Sequence, residues 1–533
     1  MKKGVIFLGN IYYNGDIITL TDKVYPQALY EKDGFIKYVG DVEDIKKICK
    51  DDDCWVDISG KTLCPAFIDS HSHITALSST LRYCNLSSAK SFLDIQNLLK
   101  EFAEKRGIKK GNWIVGFGYD NNFLEEKSHP NKNVLDIFTE NPVVITHVSG
   151  HMGVANTKAL EIFNIDKNTE NPSGGVIGKD ENGEVTGYLE ETAFINATKI
   201  IKEPDFDEKV KLFKEAEKIY ASNGIVTVQD GFSGEKEAKF LKELSENGSI
   251  DLDVVMYCDI KNSVDMVEEY REFLKEYKNN LKLGGYKMFL DGSPQGRTAF
   301  MREPYADSED YRGYPVYKDL EVVEFFKKAI DKNVQIIGHS NGDGACQQFI
   351  NSYDEALKNC GEKNIRPVMI HSQLLGIDQL DDVKRLNIIP SYFASHIYYW
   401  GEIHKKNFGK ERGENICPLN STLERGIIFT MHTDTPVIMP NLIEEMWCAV
   451  NRISKDGNVL SENERIEPIE VLKSITINSA YQYFEEDKKG SLEVGKYADL
   501  VILDRNPLKV KREDIKDISV LETIKRGESV FKK

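Results

Sequence analysis

Short apolar runs rich in β-branched residues recur along this chain, and stretches with helical periodicity separate most of them. Eight runs read as strands: residues 63–71, 225–231, 251–258, 284–292, 334–339, 367–371, 388–396 and 427–434. Amphipathic stretches such as 207–223 and 320–332 lie between several of them. Strands alternating with helices argue for a parallel sheet with crossover helices. Eight such units predict an α/β fold built on a (β/α)8 TIM barrel, where catalytic groups sit at the carboxyl ends of the strands.

Two regions depart from that alternation. The gap between the first two strand runs is too long for one crossover, so residues from about 80 to 222 are expected to form a large insertion after barrel strand 1. It contains the turn-rich Asn171-Pro172-Ser173-Gly174-Gly175 and a hairpin turn at Glu181-Asn182-Gly183-Glu184. Long excursions on barrel loops commonly serve as lids or binding walls. The chain ends show short strand patterns broken by turns at Asn14-Gly15 and Asp33-Gly34. Neither end buries a sheet alone; together, residues 1–62 and 481–533 are expected to build one small composite β-sandwich domain, leaving 63–480 to the barrel.

Composition narrows the setting. The chain has 533 residues and a net charge of -17, which argues against non-specific nucleic-acid binding. The amino-terminal apolar run is broken early by Asn10 and Asp16, so a secretory signal is not expected. No apolar segment approaches the roughly 20 residues of a membrane helix. Nine scattered cysteines without a Cys-x-x-Cys read as reduced thiols, and the expected location is cytoplasmic. No residue pattern reports the oligomeric state; a homodimer is the working expectation.

The candidate chemistry lies at the strand ends. The first run closes in Asp69-Ser70-His71-Ser72-His73, and residues i and i+2 on a strand share a face, so two imidazoles can aim at one ion. Lys287 lies on the fourth run, His339 and His371 end the fifth and sixth, and the eighth ends in His432-Thr433-Asp434. Only ten histidines exist, which makes their gathering at strand ends informative. Neutral imidazoles suit Zn²⁺ and leave positions open for water, which loses a proton near neutral pH when bound to the ion. Asp434 can ligate and shuttle the proton to a leaving group. Lys287 becomes useful only if desolvation makes its amine neutral, able to take up carbon dioxide as a carbamate that bridges two metals.

These residues resemble the amidohydrolase superfamily, whose binuclear pattern is His-x-His, Lys, His, His, Asp in that order along a barrel. Gly116-Phe117-Gly118-Tyr119-Asp120, Ser149-Gly150-His151, Gly187-Tyr188-Leu189-Glu190-Glu191 and Gly490-Ser491-Leu492-Glu493-Val494-Gly495-Lys496 are similar to the group that includes N-substituted formamide deformylase. The resemblance implies that His71, His73 and Asp434 hold one ion, that His339 and His371 hold a second, and that carboxylated Lys287 bridges them. It implies one or two Zn²⁺ ions, two favoured, and hydrolysis of an amide-type C–N bond of a small molecule, with Asp434 as shuttle and His151 binding the carbonyl. The chain departs from the pattern at His432-Thr433-Asp434, where relatives commonly show Gly-Ser-Asp, and at Ser340-Asn341, where many have an apolar pair.

Other residues carry two readings each. His147 and Ser149 are candidate substrate contacts, or polar loop residues packed by local hydrogen bonds. His396, after the seventh run, is a candidate pocket residue beside aromatic side chains. Arg297 is read equally as a substrate-carboxylate ligand or as a brace for its own loop, and Asn341 and Asp343 as pocket or loop residues. Asp69 is expected to orient a ligand, and His129 and His404 are read as surface residues. Alternatives on the same site are a deaminase, a cyclic imide or lactam hydrolase, and a non-catalytic binding or regulatory protein on a hydrolase barrel.

Overall fold

The computed structural model describes residues 8–23 and 25–533. Most of the amino-terminal run considered for a signal, residues 1–7, lies outside the described residues, as does residue 24. The chain divides into two compact units, Met1–Leu77 with Phe213–Lys533, and Ser78–Leu212.

An eight-stranded parallel sheet organises the first unit. Its strands are β1 (Phe67–Ile68), β2 (Ile225–Ser233), β3 (Asp253–Asp259), β4 (Leu281–Phe289), β5 (Gln335–Ser340), β6 (Val368–His371), β7 (Ile389–Tyr392) and β8 (Thr430–Met431), paired in chain order. The sheet curls until the segments leaving β1 and β8 bond to each other: Asp434 N–H donates to the His71 carbonyl at 3.1 Å, and His73 N–H to the Thr435 carbonyl at 2.8 Å. Inside the curl, Ile68, Val255, Tyr257, Ile337, Val368, Ile370 and Ile389 pack against Ala480 and Tyr483. Helices follow the strands. Asp319–Lys332 buries Val322, Val323, Phe325, Phe326, Ala329 and Ile330, a three-to-four-residue spacing that makes one apolar stripe, and it stops at Asn333 in the left-handed region.

All eight expected runs contribute a strand, with shifted bounds. The first run splits: Thr62–Pro65 pairs with Asp16–Ile17 and Leu500–Leu503 in another sheet, and the parallel sheet begins only at Phe67. Pro65 has no N–H to extend a ladder. The fourth strand begins at Leu281, not at 284, because the Gly284-Gly285 pair lies inside it. At Gly285 a Cβ would stand 1.9 Å from the Gln335 carbonyl oxygen, so only glycine lets β4 and β5 pair there. The seventh run ends at Tyr392, and His396 falls in the first turn of the helix Ser395–Glu414.

Two further sheets use both chain ends. Four strands (Phe35–Gly40, Ala28–Lys32, Asn10–Tyr13, Cys54–Asp57) form one; Asp16–Ile17, Thr62–Pro65, Leu500–Leu503, Val520–Lys525 and Glu528–Lys532 form the other. Tyr12, Leu29, Ile36, Leu63, Leu500, Ile502 and Ile524 share one apolar core.

The unit Ser78–Leu212 has its own six-stranded sheet and two apolar cores. Gly175–Lys179 and Val185–Glu191 form a hairpin closed by Asp180 N–H on the Glu184 carbonyl, with Gly183 at φ +80°. The helix Phe206–Ser222, assigned whole to the insertion from sequence, belongs to the first unit from Phe213 onward, since Phe213, Ala216, Tyr220 and Ala221 are buried and Thr523 Oγ1 donates to the Ala221 carbonyl.

Buried Asp253, at the start of β3, meets Lys489 at 2.6 Å, Lys525 at 2.8 Å and Arg526 at 2.9 Å. Burial opposes the Asp253 charge, but the three cations outweigh it and hold the carboxyl well below the usual range. Replacing Asp253 with Ala leaves those cations uncompensated and is expected to cost about 3–5 kcal/mol in denaturant unfolding. The wild-type advantage should be complete at neutral pH and shrink as acid protonates the carboxylate.

Candidate metal centre

His71 lies just past β1, fully buried, with its orientation set by a neighbour. Gln229 on β2 donates through Nε2 to the Ser70 carbonyl and to Tyr483 Oη, both at 2.9 Å, which turns Oε1 toward His71 Nδ1 at 2.5 Å. An amide oxygen only accepts, so His71 carries its proton on Nδ1 and presents a bare Nε2. Burial, with the adjacent Lys287, holds its pKa well below the ordinary value. A Cβ on Gly231 would stand 2.5 Å from the His71 ring, so the chain can pass there only as glycine.

The bare His71 Nε2 faces Lys287 Nζ at 3.3 Å and Asp434 Oδ1 at 3.5 Å. His73 Nε2 lies 3.4 Å from the same Asp434 oxygen, and His371 Nε2 lies 4.0 Å from Asp434 Oδ2. Ligand atoms of His71, His371 and Asp434 all fall within 4.8 Å of one another. Buried neutral imidazoles with one carboxylate are a donor set suited to a divalent cation. Burial brings Lys287 down to about 7 against the opposing attraction of Asp434, leaving much of its amine neutral near neutral pH. Burial would raise Asp434, but the His73 hydrogen bond and the nearby His73, His432 and Lys287 charges bring it below its ordinary value. His371 at φ +73° and Asp434 at φ +52° hold left-handed backbone that is costly for side-chain-bearing residues and that concentrates at functional sites.

His339 stands beside this group without joining it. Its ring is 4.6 Å from that of His371, but Asn341 Nδ2, which also donates to the Gly292 carbonyl, sits 3.2 Å from His339 Nε2. Nδ1 faces Asp291 Oδ1 at 3.2 Å, and Asp291 also accepts from the backbone of Phe300, Asn341 and Gly342. Asn341 thus contacts a candidate ligand, whereas Asp343 braces Arg302 through two hydrogen bonds. Asp69 does not touch an imidazole. It accepts from Thr433 Oγ1, Thr433 N and His71 N, fixing the backbone beside two candidate ligands.

Several sequence expectations are corrected. The loop-brace reading of Arg297 has its partner: Nη1 and Nη2 both bind Asp307 within the same loop. His404 is completely buried, stacked on His396 with its Nε2 3.0 Å from His396 Nδ1, and is not a surface residue. His129 is half-buried between Tyr119, His147 and Tyr188. His432, passed over as a neighbour of Asp434, is buried with its Nε2 3.1 Å from His371 Nδ1. Burial pushes its pKa down to about 3. Its departure from Gly-Ser-Asp was the one signal available in sequence. In the unit Ser78–Leu212, His147 Nδ1 faces Ser149 Oγ at 2.9 Å, while exposed His151 pairs with Glu191 at 3.3 Å.

The sequence profile of the Amidohydrolase family matches residues 55–531. N-substituted formamide deformylase of Arthrobacter pascens is 25% identical over 524 residues, which cover 94% of this chain and 94% of that one. Protein LONG AFTER FAR-RED 3 of Arabidopsis thaliana is 28% identical over 542 residues, 97% of this chain and 91% of that one. Among solved structures, an uncharacterized metal-dependent hydrolase from Pyrococcus horikoshii OT3 aligns with a TM-score of 0.74 at 28% identity, over 95% of this chain and 99% of that chain. The profile begins ahead of β1, runs past β8 and takes in the ends of all eight strands of the parallel sheet; the chain belongs to the Amidohydrolase family.

Proposed function

We propose that the protein is a metal-dependent hydrolase that cleaves an amide-type C–N bond of a small molecule, on a closed (β/α)8 barrel flanked by a composite β-sandwich. The observation that carries this reading is the convergence of His71, His371 and Asp434 within 4.8 Å. His71, His73, His339, His371, Asp434 and carboxylated Lys287 would hold one or two Zn²⁺ ions, two in our reading. A bound ion of this kind lowers the pKa of its water to near 7 and polarises the carbonyl under attack.

The chain's own residues supply the rest. Asp434, kept ionised and 3.4 Å from His73, accepts a proton from the attacking water and delivers it to the departing nitrogen. The neutral Lys287 amine would add to carbon dioxide, the new N–C bond forming as one C=O π pair moves onto oxygen and one amine proton passes to solvent, and the resulting carbamate would help hold the metal. Asn341 would have to release His339 Nε2 before that nitrogen could ligate. In this reading His151 stays the residue assigned to the carbonyl, its Nδ1 facing Glu191 at 3.3 Å.

Asp434→Asn should lower kcat/KM by about 10²–10⁴-fold on any amide the wild type cleaves, with an unchanged melting temperature. Full activity in that variant would overturn the shuttle. Elemental analysis of protein prepared with zinc and bicarbonate should give about two ions per chain, falling in Lys287→Met; one ion in the wild type would exclude the bridge. The folded Lys287 titrates at about 7. An unfolded lysine titrates near 10.4, so between these values the unfolded chain binds more protons and stability rises with pH. Metal-free wild type should therefore gain on Lys287→Met from about pH 7 to about pH 9, by up to about 1.4 kcal/mol per pH unit, in denaturant unfolding.

A further inference from the structure

A line of hydrogen bonds leaves the metal centre and ends on a backbone carbonyl. His371 Nδ1 lies 3.1 Å from His432 Nε2, and His432 Nδ1 lies 2.9 Å from Ser391 Oγ. Ser391 Oγ lies 3.1 Å from Ser70 Oγ, which donates to the Met431 carbonyl at 3.0 Å. All four side chains are buried, and they come from the ends of β6, β8, β7 and β1 in turn.

The direction of each bond follows from the far end. A carbonyl oxygen only accepts, and a serine hydroxyl has one proton. Ser70 gives its proton to Met431 and so accepts from Ser391. Ser391 then has none left and accepts from His432 Nδ1–H. A neutral imidazole carries one proton, so His432 Nε2 is bare and accepts from His371 Nδ1–H. That leaves the lone pair of His371 on Nε2, the atom 4.0 Å from Asp434 Oδ2.

We propose that His432, through Ser391 and Ser70, is a positioning residue that holds His371 in the one neutral tautomer able to ligate a cation, a task that Gln229 performs for His71. The proposal rests on the metal-centre reading. It also explains a histidine buried beside His71 and His371: its two nitrogens are both taken, one accepting and one donating.

His432→Gln keeps an acceptor and a donor on one side chain, whereas His432→Phe keeps the ring and neither. Zinc affinity, measured on full-length metal-free protein by competition with a chromophoric chelator, should fall by about 10–100-fold in His432→Phe and recover in His432→Gln. Nitrogen-15 shifts of metal-free wild type should show His371 protonated on Nδ1, with the Nε2–H form appearing in His432→Phe. Ser391→Ala, which adds no volume, breaks the same line and should weaken zinc binding if His432→Phe does not fold. Unchanged affinity in both broken variants, or His371 protonated on Nε2 in the wild type, would overturn the proposal. Absence of zinc binding in the wild type would instead overturn the metal centre, and the nitrogen shifts would still decide the tautomer.

Discussion

The candidate centre depends on the meeting of the first and last strands of the curled sheet. Asp69 and Thr433 are 364 residues apart, yet Thr433 donates to the buried Asp69 carboxylate through both its hydroxyl and its N–H. Backbone bonds from Asp434 to His71 and from His73 to Thr435 continue the join. Burying a carboxylate without a cation is costly, and burial raises Asp69 to about 7. Three donors from the two strand ends offset that cost only when the ends are in place. The join that satisfies Asp69 thus brings His71, His73 and Asp434 to one point.

Burial then does two things at once. It keeps the His71, His371 and His432 imidazoles neutral, and it demands a partner for every nitrogen that does not face the centre. Gln229 on His71, Asp291 on His339 and His432 on His371 meet that demand, and each thereby decides which nitrogen points inward. The same desolvation brings the Lys287 amine to about 7, while the His73 hydrogen bond and nearby charge outweigh burial and hold Asp434 below its ordinary value.

The strand order was legible because parallel strands buried on both faces are continuous apolar runs, and a run ending in histidine marks where a strand leaves the sheet. Bounds were less legible. The Thr62–Pro65 and Phe67–Ile68 strands form one unbroken apolar pattern, and only their partners in space assign them to different sheets. Arg297 and Asp307 lie ten residues apart in a loop with no periodicity, so their pairing left no trace in the sequence.

The sequence by itself determined the α/β class, the order of the eight parallel strands and the residue types at their ends, because periodicity and composition are local properties of the chain. Tertiary structure decided which nitrogen of each histidine faces the centre, that Asn341 occupies His339 Nε2, and that His432 supports His371. Those outcomes depend on hydrogen-bond partners brought from distant strands and on the loss of water around them, neither of which any stretch of sequence contains.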